Sequence, residues 1–473
     1  MIDEFGYLES LNENRIEMGL DRIKKVLQIL GNIQNDLKII HIAGTNGKGS
    51  TSNLINNILL ENCLSLDAKK IGLFTSPHIT KINERIKINN QEISDDDLKK
   101  YINYFRMLLQ EHCIQLTYFE FLTVIAIKYF CDNFVKIAIF ECGLGGRLDS
   151  TNVFEKPLVT VITNIDFDHT EYLGSTLPDI LTEKMGIFRS GVPVVAGLNQ
   201  DELKRIIEKK AEDFEAKLFL LGKDFWVNKK RCHSECNEES RSFASLMMTS
   251  AGQNEKNKLE ISNEPTINSL CFESPSFLMD DIKLKIRGEH QQQNLAIALI
   301  VLQILRQTYG YKFKSELDIK NTINNFEFGG RLEFIKTEEN KVGVNFLLDV
   351  GHNLAGIKTC VRYLQSIKKD YKNLVIVFGM LKDKDYANSV MEILKVGDFF
   401  YLTSPKSKRA LEIDDVLKEF ARHKENKKVK LASQNYEEIL SSISRNFGNE
   451  DLICVVGSFY LIADFKKNIL EGN

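Results

Sequence analysis

The chain has 473 residues, of which 43% are hydrophobic and 27% are charged, and its formal net charge is -3. One hydrophobic core rarely serves so long a chain, so we expect two domains. The near balance of acidic and basic residues gives no general attraction to nucleic acid or to anionic lipid, which excludes both as first candidates for partners.

Cysteine usage and the first residues indicate the compartment. The nine cysteines lack the spacing of a disulfide framework, and the start, MIDEFGYLESLNEN, is acidic where a signal peptide would be basic and then apolar. No apolar run reaches the roughly 18 residues of a membrane-spanning helix. We therefore expect a monomeric cytoplasmic protein with reduced thiols.

Apolar runs that end in glycine, acidic residues or histidine alternate with helical patterns, as parallel strands joined by helices do. The first series is KIIHI, VKIAIFECGLGG, PLVTVITNIDFDHT and VPVVAG, and the second is VNFLLDVGHN, NLVIVFGM, DFFYLTSP and DLICVVGSF. The periodicity breaks between Asn325 and Gly330. This pattern predicts an α/β domain with a mainly parallel sheet over residues 1–326 and a smaller Rossmann-like α/β domain over residues 327–473.

Residues 227–277 do not fit this alternation. They are rich in Ser, Asn, Glu and Lys and lack sustained periodicity, which predicts a disordered or loosely folded surface insertion. Within it, Cys232, His233 and Cys236 are residue types that bind metals, but a zinc site normally needs four ligands. We therefore interpret them as exposed residues of the insertion.

AGTNGKGST (43–51) is the strongest local signal for chemistry. Backbone amides of a glycine turn, followed by a helix predicted to begin near Ser50, would point toward an anion, and Lys48 adds a positive charge. The usual phosphate loop has four residues between its first glycine and Gly-Lys, whereas this loop has two. Glycines alone also make ordinary tight turns, but a lysine at a strand-to-helix junction favours a nucleotide triphosphate.

A bound triphosphate requires a divalent cation, so its ligands should follow neighbouring strands. Glu141 ends the predicted strand KIAIF, and His169 is predicted to end the next one, beside Asp166 and Asp168. A glutamate in this position can instead cap a helix or pair with a lysine, and a lone histidine is often structural. Both alternatives stay open at the level of these residues.

Nine motifs occur in an order that points to a known family. They are HIAGTNGKGSTS, GLFTSPHITKINERIKIN, TYFEFLTVIA, ECGLGGRLDSTNV, DFDHTEYLG, EKMGIF, GEHQQQN, GGRLEF and DVGHN. Together they resemble the folylpolyglutamate synthase and dihydrofolate synthase family of the Mur-ligase superfamily, over nearly the whole chain except residues 227–277. The short spacing of GTNGKGS resembles that superfamily's own form of the phosphate loop.

The resemblance implies an ATP-dependent ligase that adds L-glutamate to dihydropteroate, to tetrahydrofolate or its polyglutamates, or to both, through an acyl phosphate. Residues 1–326 would be the ATP-binding Mur-ligase domain and residues 327–473 the glutamate-ligase domain. Implied cofactors are ATP, two Mg²⁺ ions, a carbamylated lysine and a monovalent cation. The partners would be small-molecule substrates alone.

The resemblance also implies roles for individual residues. Phosphates would be held by Asn46, Gly47, Lys48 and Gly49, and ATP would be contacted across the cleft by Asn294, Arg331 and Asp349. Ser76 and Glu141 would bind one Mg²⁺, His169 the second. Lys48, Lys184 of EKMGI and His352 would be catalytic. The pterin substrate would contact Glu17, Met18, Gly19, Thr117, Tyr118, Phe119, Glu120, Leu148, Asp149 and Ser150.

Two departures qualify these assignments. Without the family motif, Lys184 reads as a surface lysine on a helix. The segment DVGHN also differs from the more usual DGAHN of the family in having Val350 and Gly351, which puts local detail there in question.

Two functions of other classes compete with a ligase. A nucleotide-hydrolysing switch would share the phosphate loop but should lack DVGHN and the lysine of EKMGI. A catalytically silent folate- or nucleotide-binding protein should have lost Lys48, Glu141 or His169. The chain retains all of these features, so the ligase is the preferred hypothesis.

Overall fold

The computed structural model describes residues 3–12, 15–65, 70–229, 269–340, 342–423 and 428–471. The α-helices are α1 Glu4–Ser10, α2 Asp21–Ile29, α3 Lys48–Asn62, α4 Asp95–Glu111, α5 Tyr118–Asp132, α6 Thr170–Leu173, α7 Leu177–Met185, α8 Asp201–Asp213, α9 Glu289–Tyr309, α10 Glu316–Asn324, α11 Leu354–Ile367, α12 Tyr386–Leu394, α13 Ile413–Arg422, α14 Tyr436–Asn446 and α15 Phe459–Glu471. Short 3-10 helices lie at Ile33–Asp36, Ile82–Arg85, Thr337–Glu339 and Lys368–Asp370.

The strands are β1 Ile39–Ala43, β2 Ile71–Phe74, β3 Ile86–Ile88, β4 Gln91–Glu92, β5 Ile137–Glu141, β6 Val159–Ile162, β7 Val194–Ala196, β8 Leu218–Leu220, β9 Trp226–Lys229, β10 Leu270–Ser274, β11 Phe277–Ile282, β12 Glu333–Ile335, β13 Asn345–Asp349, β14 Leu374–Phe378, β15 Phe399–Leu402, β16 Val429–Ala432 and β17 Leu452–Val456.

The first sheet has eight strands in the order β4-β3-β2-β5-β1-β6-β7-β8. From β2 to β8 all neighbours are parallel, while β3 and β4 add an antiparallel edge. All five residues of β1 are buried because apolar clusters cover both faces of the sheet. The carboxyl ends of the parallel strands therefore meet at one edge, where ligands bind in such folds.

The second sheet has six strands in the order β12-β13-β17-β14-β15-β16 and is parallel except at β12. It too is covered on both faces by apolar clusters. The predicted α/β fold, with a large mainly parallel sheet and a second, smaller α/β sheet, is confirmed. The chain passes from the helices over the first sheet to the second sheet between Asn324 and Glu333; the boundary at residues 326 and 327 stays a prediction.

The prediction of a disordered insertion over residues 227–277 is wrong at both ends. Strands β9, β10 and β11 form a separate antiparallel sheet in the order β11-β10-β9, with Phe272 opposite Val227. Phe272 and Met279 are buried in the core beside α9. The short alternating pattern of LCFES and FLMDDI gives this period of two, which the surrounding polar composition obscured. Cys232, His233 and Cys236 lie outside the described residues.

Two further expectations concern membranes and thiols. Within the described ranges, no helix combines the length and apolar character needed to cross a membrane. The cysteines in the same ranges are free thiols.

Candidate active site

A cavity of about 2190 Å³ lies between the two α/β sheets and receives loops from both. Every site residue predicted from the sequence lines this cavity except Asn294. Asn294 is buried directly behind the phosphate loop, where a Cβ added to Gly47 would lie 2.4 Å from its Oδ1 atom. The structure thus brings the predicted residues together around one cleft.

The phosphate loop connects β1 to α3, which begins at Lys48, two residues before the predicted start. Gly47 precedes the helix with φ 84, a left-handed conformation that favours glycine. The two residues that follow β6 fix the position of the loop. Asn46 N donates to Asn164 Oδ1 at 2.7 Å, and Thr163 Oγ1 donates to the carbonyl of Asn46 at 2.7 Å. The first residues of α3, Lys48 to Ser50, line the cavity, as an anion site at a helix N-terminus requires.

Lys48 is folded back over the loop. Its Nζ donates to the carbonyls of Gly44 and Thr45 at 3.0 and 3.2 Å. Within the described part of the chain, three buried polar atoms that border the cavity have no hydrogen-bond partner: Ser50 Oγ, Gln291 Nε2 and His290 Nδ1. Unpaired buried polar atoms are costly unless a ligand satisfies them, so this lining fits a polar group such as a nucleotide.

Glu141 ends β5 at the cavity and is only 3% exposed. Burial raises its pKa to about 7, although the positive charge of Lys48 opposes that shift. The backbone N–H of Ser76 donates to Glu141 Oε2 at 3.3 Å, so the two predicted ligands of the first Mg²⁺ are neighbours. A bound cation would stabilise the ionised form of the buried carboxylate, and the arrangement therefore fits a divalent ion.

No group of three or more His, Cys, Asp or Glu side chains in the described ranges is arranged to hold a metal ion unaided. In nucleotide sites, Mg²⁺ is commonly held by one or two protein oxygens together with phosphate oxygens and water. Glu141 and Ser76 suit such a shared site.

Lys184 lies in the last turn of α7 and is only 4% exposed, so the alternative of a surface lysine is wrong. Burial, aided by the nearby charge of Lys48, lowers its pKa to about 7. Its Nζ donates to the carbonyl of Gly44 at 2.9 Å. A lysine with this pKa is partly neutral near pH 7, and a neutral amine is the form that captures carbon dioxide.

His169 does not end a strand, contrary to the prediction. Strand β6 stops at Ile162, and His169 follows in a loop with φ 50, immediately before α6. Burial lowers its pKa to about 4, so the ring is neutral near pH 7. Lys384 Nζ lies 3.4 Å from His169 Nε2, whose lone pair accepts from the ammonium. A metal ion at this nitrogen would compete with Lys384 for the same lone pair, and the assignment of His169 to a second Mg²⁺ site stays a prediction.

Asp168 joins the two sheets, a role that the sequence did not reveal. Its Oδ1 accepts from Lys384 Nζ at 2.6 Å, and its Oδ2 accepts from Asn353 Nδ2 at 3.0 Å. His352 Nε2 lies 3.7 Å from the same carboxylate. The hydrogen bond from His352 and the charges of His169 and Lys384 keep the pKa of Asp168 well below its usual value despite burial. A lysine shortly after the buried strand LVIVF was the only available signal for Lys384.

Asp349 and Arg331 form the far wall of the cavity. Asp349 accepts from the backbone N–H groups of Leu332 and Gly351 at 3.0 and 2.9 Å. Burial raises its pKa to about 6, which the charge of Arg331 counteracts. A Cβ at position 351 would lie 2.8 Å from Asp349 Oδ1, and Val350 packs in the core.

Comparison with known proteins decides the family. Residues 42–302 match the Mur ligase middle domain, and residues 330–459 match the Mur ligase glutamate ligase domain. The dihydrofolate synthase/folylpolyglutamate synthase of Bacillus subtilis is 31% identical over 467 residues, which cover 96% of this chain and 95% of that protein. The chain belongs to the dihydrofolate synthase/folylpolyglutamate synthase family.

Solved structures of this family share the fold. FolC of E. coli, in complex with DHPP and ADP, is 25% identical with a TM-score of 0.77, and the match covers 98% of this chain and 95% of that one. The bifunctional folylpolyglutamate synthase/dihydrofolate synthase of Yersinia pestis, complexed with AMPPNP and Mn ion, is 24% identical with a TM-score of 0.76, covering 97% and 95%. The E. coli protein thus binds ADP, and the Yersinia pestis protein binds AMPPNP and a Mn ion.

The three segments predicted to contact the pterin in this family member all line the cavity. Two of their acids, however, already support the local fold. Glu120 caps α5 together with Thr117 and pairs with Arg22 at 3.1 Å, and Asp149 accepts from the amide of Leu144 at 2.7 Å.

The remaining members of these segments are Glu17, Met18, Gly19, Tyr118, Phe119, Leu148 and Ser150. They present a mixed apolar and polar lining, of the kind that binds a flat heterocycle with polar edges.

Proposed function

We propose that this member of the family, an ATP-dependent glutamate ligase, adds L-glutamate to the carboxylate of dihydropteroate, of reduced folates, or of both. The observation that supports it most is the arrangement of Lys48, Glu141 and Lys184 at one edge of the first sheet. Three charged groups are gathered there with little solvent, two of them with a pKa near 7. That is the environment in which phosphoryl transfer is promoted by fixed charges.

The reaction has to overcome the poor electrophilicity of a carboxylate. In the first step the γ-phosphoryl group leaves ATP and bonds to a carboxylate oxygen of the pterin substrate, giving ADP and an acyl phosphate. The glutamate amine then attacks the acyl carbon, phosphate departs, and the nitrogen loses its proton to complete the amide. Lys48 would neutralise charge on the transferred phosphoryl group, with the amides of α3 supporting it.

Metal ions and a carbamate would complete the first half of the site. Glu141 and Ser76 would hold one Mg²⁺, which supplies charge neutralisation to the phosphates when bound. A carbamate on Lys184 would replace a buried cation by an anion able to hold a second ion, because its neutral amine is accessible near pH 7. His169 would join that site by turning its Nε2 away from Lys384, while Lys384 stays paired with Asp168.

The second domain would contribute recognition of ATP and of the incoming amine. The guanidinium carbon of Arg331 lies 5.7 Å from the ring centroid of Phe328 and 5.0 Å from that of Phe459, and Arg331 lines the cavity. Arg331, Asp349 and the buried Asn294 would contact ATP from the far wall. His352 would lie beside the glutamate amine.

The test is an assay of purified protein with ATP, Mg²⁺, L-glutamate and one pterin at a time, either dihydropteroate or tetrahydrofolate. We expect ADP, phosphate and an amide product in equal amounts with at least one of them. ATP consumption that requires neither pterin nor glutamate would instead favour a nucleotide-hydrolysing switch. Binding of pterin with no turnover would favour the silent binding protein.

A further inference from the structure

We propose that Lys384 is a positioning residue that fastens the second domain over the reacting groups, an inference that rests on the ligase activity proposed above. Lys384 follows β14 in the second sheet, and Asp168 follows β6 in the first. Their ion pair therefore bridges the cleft.

The pair is short and shielded from solvent. Lys384 Nζ lies 2.6 Å from Asp168 Oδ1, and the two side chains are 6% and 9% exposed. A buried ion pair is costly to break, because removal of one partner leaves the other charge desolvated and unpaired. The contact thus favours a single relative placement of the two domains.

The other acid near Lys384 is already engaged. Asp383, adjacent in the same loop, lies 3.9 Å from Lys384 Nζ and is paired with Arg409, whose Nε donates to Asp383 Oδ1 at 3.2 Å. Arg409 therefore neutralises Asp383 and leaves the ammonium of Lys384 directed to Asp168 across the cleft.

A second bridge links the same two regions. The side chains of Asn46, in the phosphate loop, and Asn353, which caps α11, exchange hydrogen bonds at 3.4 and 3.0 Å. Asn353 also donates to Asp168, so both bridges converge on one carboxylate. The phosphate loop, Asp168 and the His352 segment form one connected polar network.

This network stands where water has to be kept out. Water would hydrolyse the acyl phosphate before the glutamate amine could attack, and closure of two domains is the usual protection. By pinning Asp168 and with it Asn353 and His352, Lys384 would keep the cleft shut during the lifetime of the acyl phosphate. Its loss should release phosphate without amide formation.

The experiment compares Lys384→Met, which keeps the length of the side chain but removes its charge, with Lys384→Arg, which restores a cation. The control is Lys382→Met, a charge removal at an exposed lysine two residues away. The readout is the ratio of phosphate released to amide formed, with ATP, glutamate and the pterin that the wild type uses. For Lys384→Met we expect a rise of about tenfold or more in that ratio. Lys384→Arg should recover part of the coupling, and Lys382→Met should match the wild type.

An unchanged ratio in Lys384→Met would overturn the proposal, even if both rates fell together, because a merely structural lysine would slow amide formation and phosphate release equally. If that variant does not fold, Asp168→Asn removes the same ion pair from the other side, and the same rise in ratio is expected. If the wild type makes no amide with any pterin, the proposed function fails instead. The closure that Lys384 is proposed to hold is then tested by small-angle X-ray scattering of the protein with an ATP analogue. Lys384→Met should be more open than the wild type, and equal scattering of the two proteins would reject the proposal.

Discussion

The two walls of the cleft are built differently. On the side of the first sheet, Glu141 and Lys184 are 3% and 4% exposed, and burial brings the pKa of each to about 7. On the side of the second sheet, the His352 side chain is 28% exposed, and its contact with Asp168 exists only across the cleft. The comparison teaches that the first domain holds reactive charges in a fixed, water-poor setting by itself. In the second domain Asp349 is buried in a similar way, whereas the contact of His352 with Asp168 depends on closure of the cleft.

Removal of Lys48 should have the largest effect if the first wall carries the chemistry. Lys48→Ala takes away the cation nearest the phosphate loop, and we expect turnover to fall by about a hundredfold or more with little change in fold. Steady-state rates of amide formation and the far-UV circular dichroism spectrum measure the two effects. Lys136→Ala, at an exposed lysine before β5, serves as the matched control. A Lys48→Ala enzyme with nearly normal turnover would contradict the assignment of the loop.

Replacement of Lys184 tests whether that wall contains a carbamate. Lys184→Ala should be nearly inactive, and a short carboxylate such as acetate should restore part of the rate by occupying the vacated space. The wild type, stripped of carbon dioxide, should regain activity with bicarbonate more readily at pH 8 than at pH 6, because the amine is neutral above its pKa of about 7 and protonated below it. Equal recovery at both pH values, with no rescue by acetate, would mean that Lys184 acts unmodified.

The Glu141→Gln variant distinguishes the effect of this buried carboxylate on folding stability from its effect on catalysis. The folded-state pKa of Glu141 is raised to about 7 from an ordinary 4.5, so the folded protein binds more protons between those values. Its contribution to stability is fully present below pH 4.5 and is lost as pH rises through 7. The glutamine variant should therefore be more stable than the wild type at pH 8, by up to about 3 kcal/mol, and nearly equal at pH 4.5.

The measurement is denaturant unfolding of both proteins across this pH range, with Glu61→Gln, at an exposed glutamate, as control. Amide formation should be lost in Glu141→Gln, in keeping with a site that holds charge at the expense of stability. A variant that is less stable than the wild type at pH 8 would show that Glu141 supports the fold.

Sequence reasoning succeeded where chemistry is local in the chain and failed where it depends on distant contacts. The strand-to-helix position of Lys48 followed from the apolar run, the glycines and the helical spacing. The burial of Lys184 did not, because a lysine near the end of a helix reads as exposed until its neighbours are known. The bond between Asp168 and Lys384 joins residues 216 apart, and no local pattern records it. For His169, the sequence predicted a strand that continues to the histidine, whereas β6 ends at Ile162.

The stretch of the sequence between β9 and β10 contains none of the predicted site residues, so its removal should have the smallest effect. Replacement of Asn228 to Pro265 by a linker, the choice that composition alone suggests, would cut into β9. Strands β9 and β10 are antiparallel, with Lys229 opposite Leu270, and a short turn can join two such neighbours. We therefore expect that replacing residues 231–267 by a Gly/Ser linker leaves the ligase rate within about threefold of the wild type and the melting temperature nearly unchanged, because loop length alone affects stability weakly.

The longer replacement from Asn228 should lower the melting temperature, since it removes the partner that Cys271 and its neighbours need in the sheet. Loss of activity or of soluble protein in the shorter replacement would show that residues 231–267 take part in folding or catalysis.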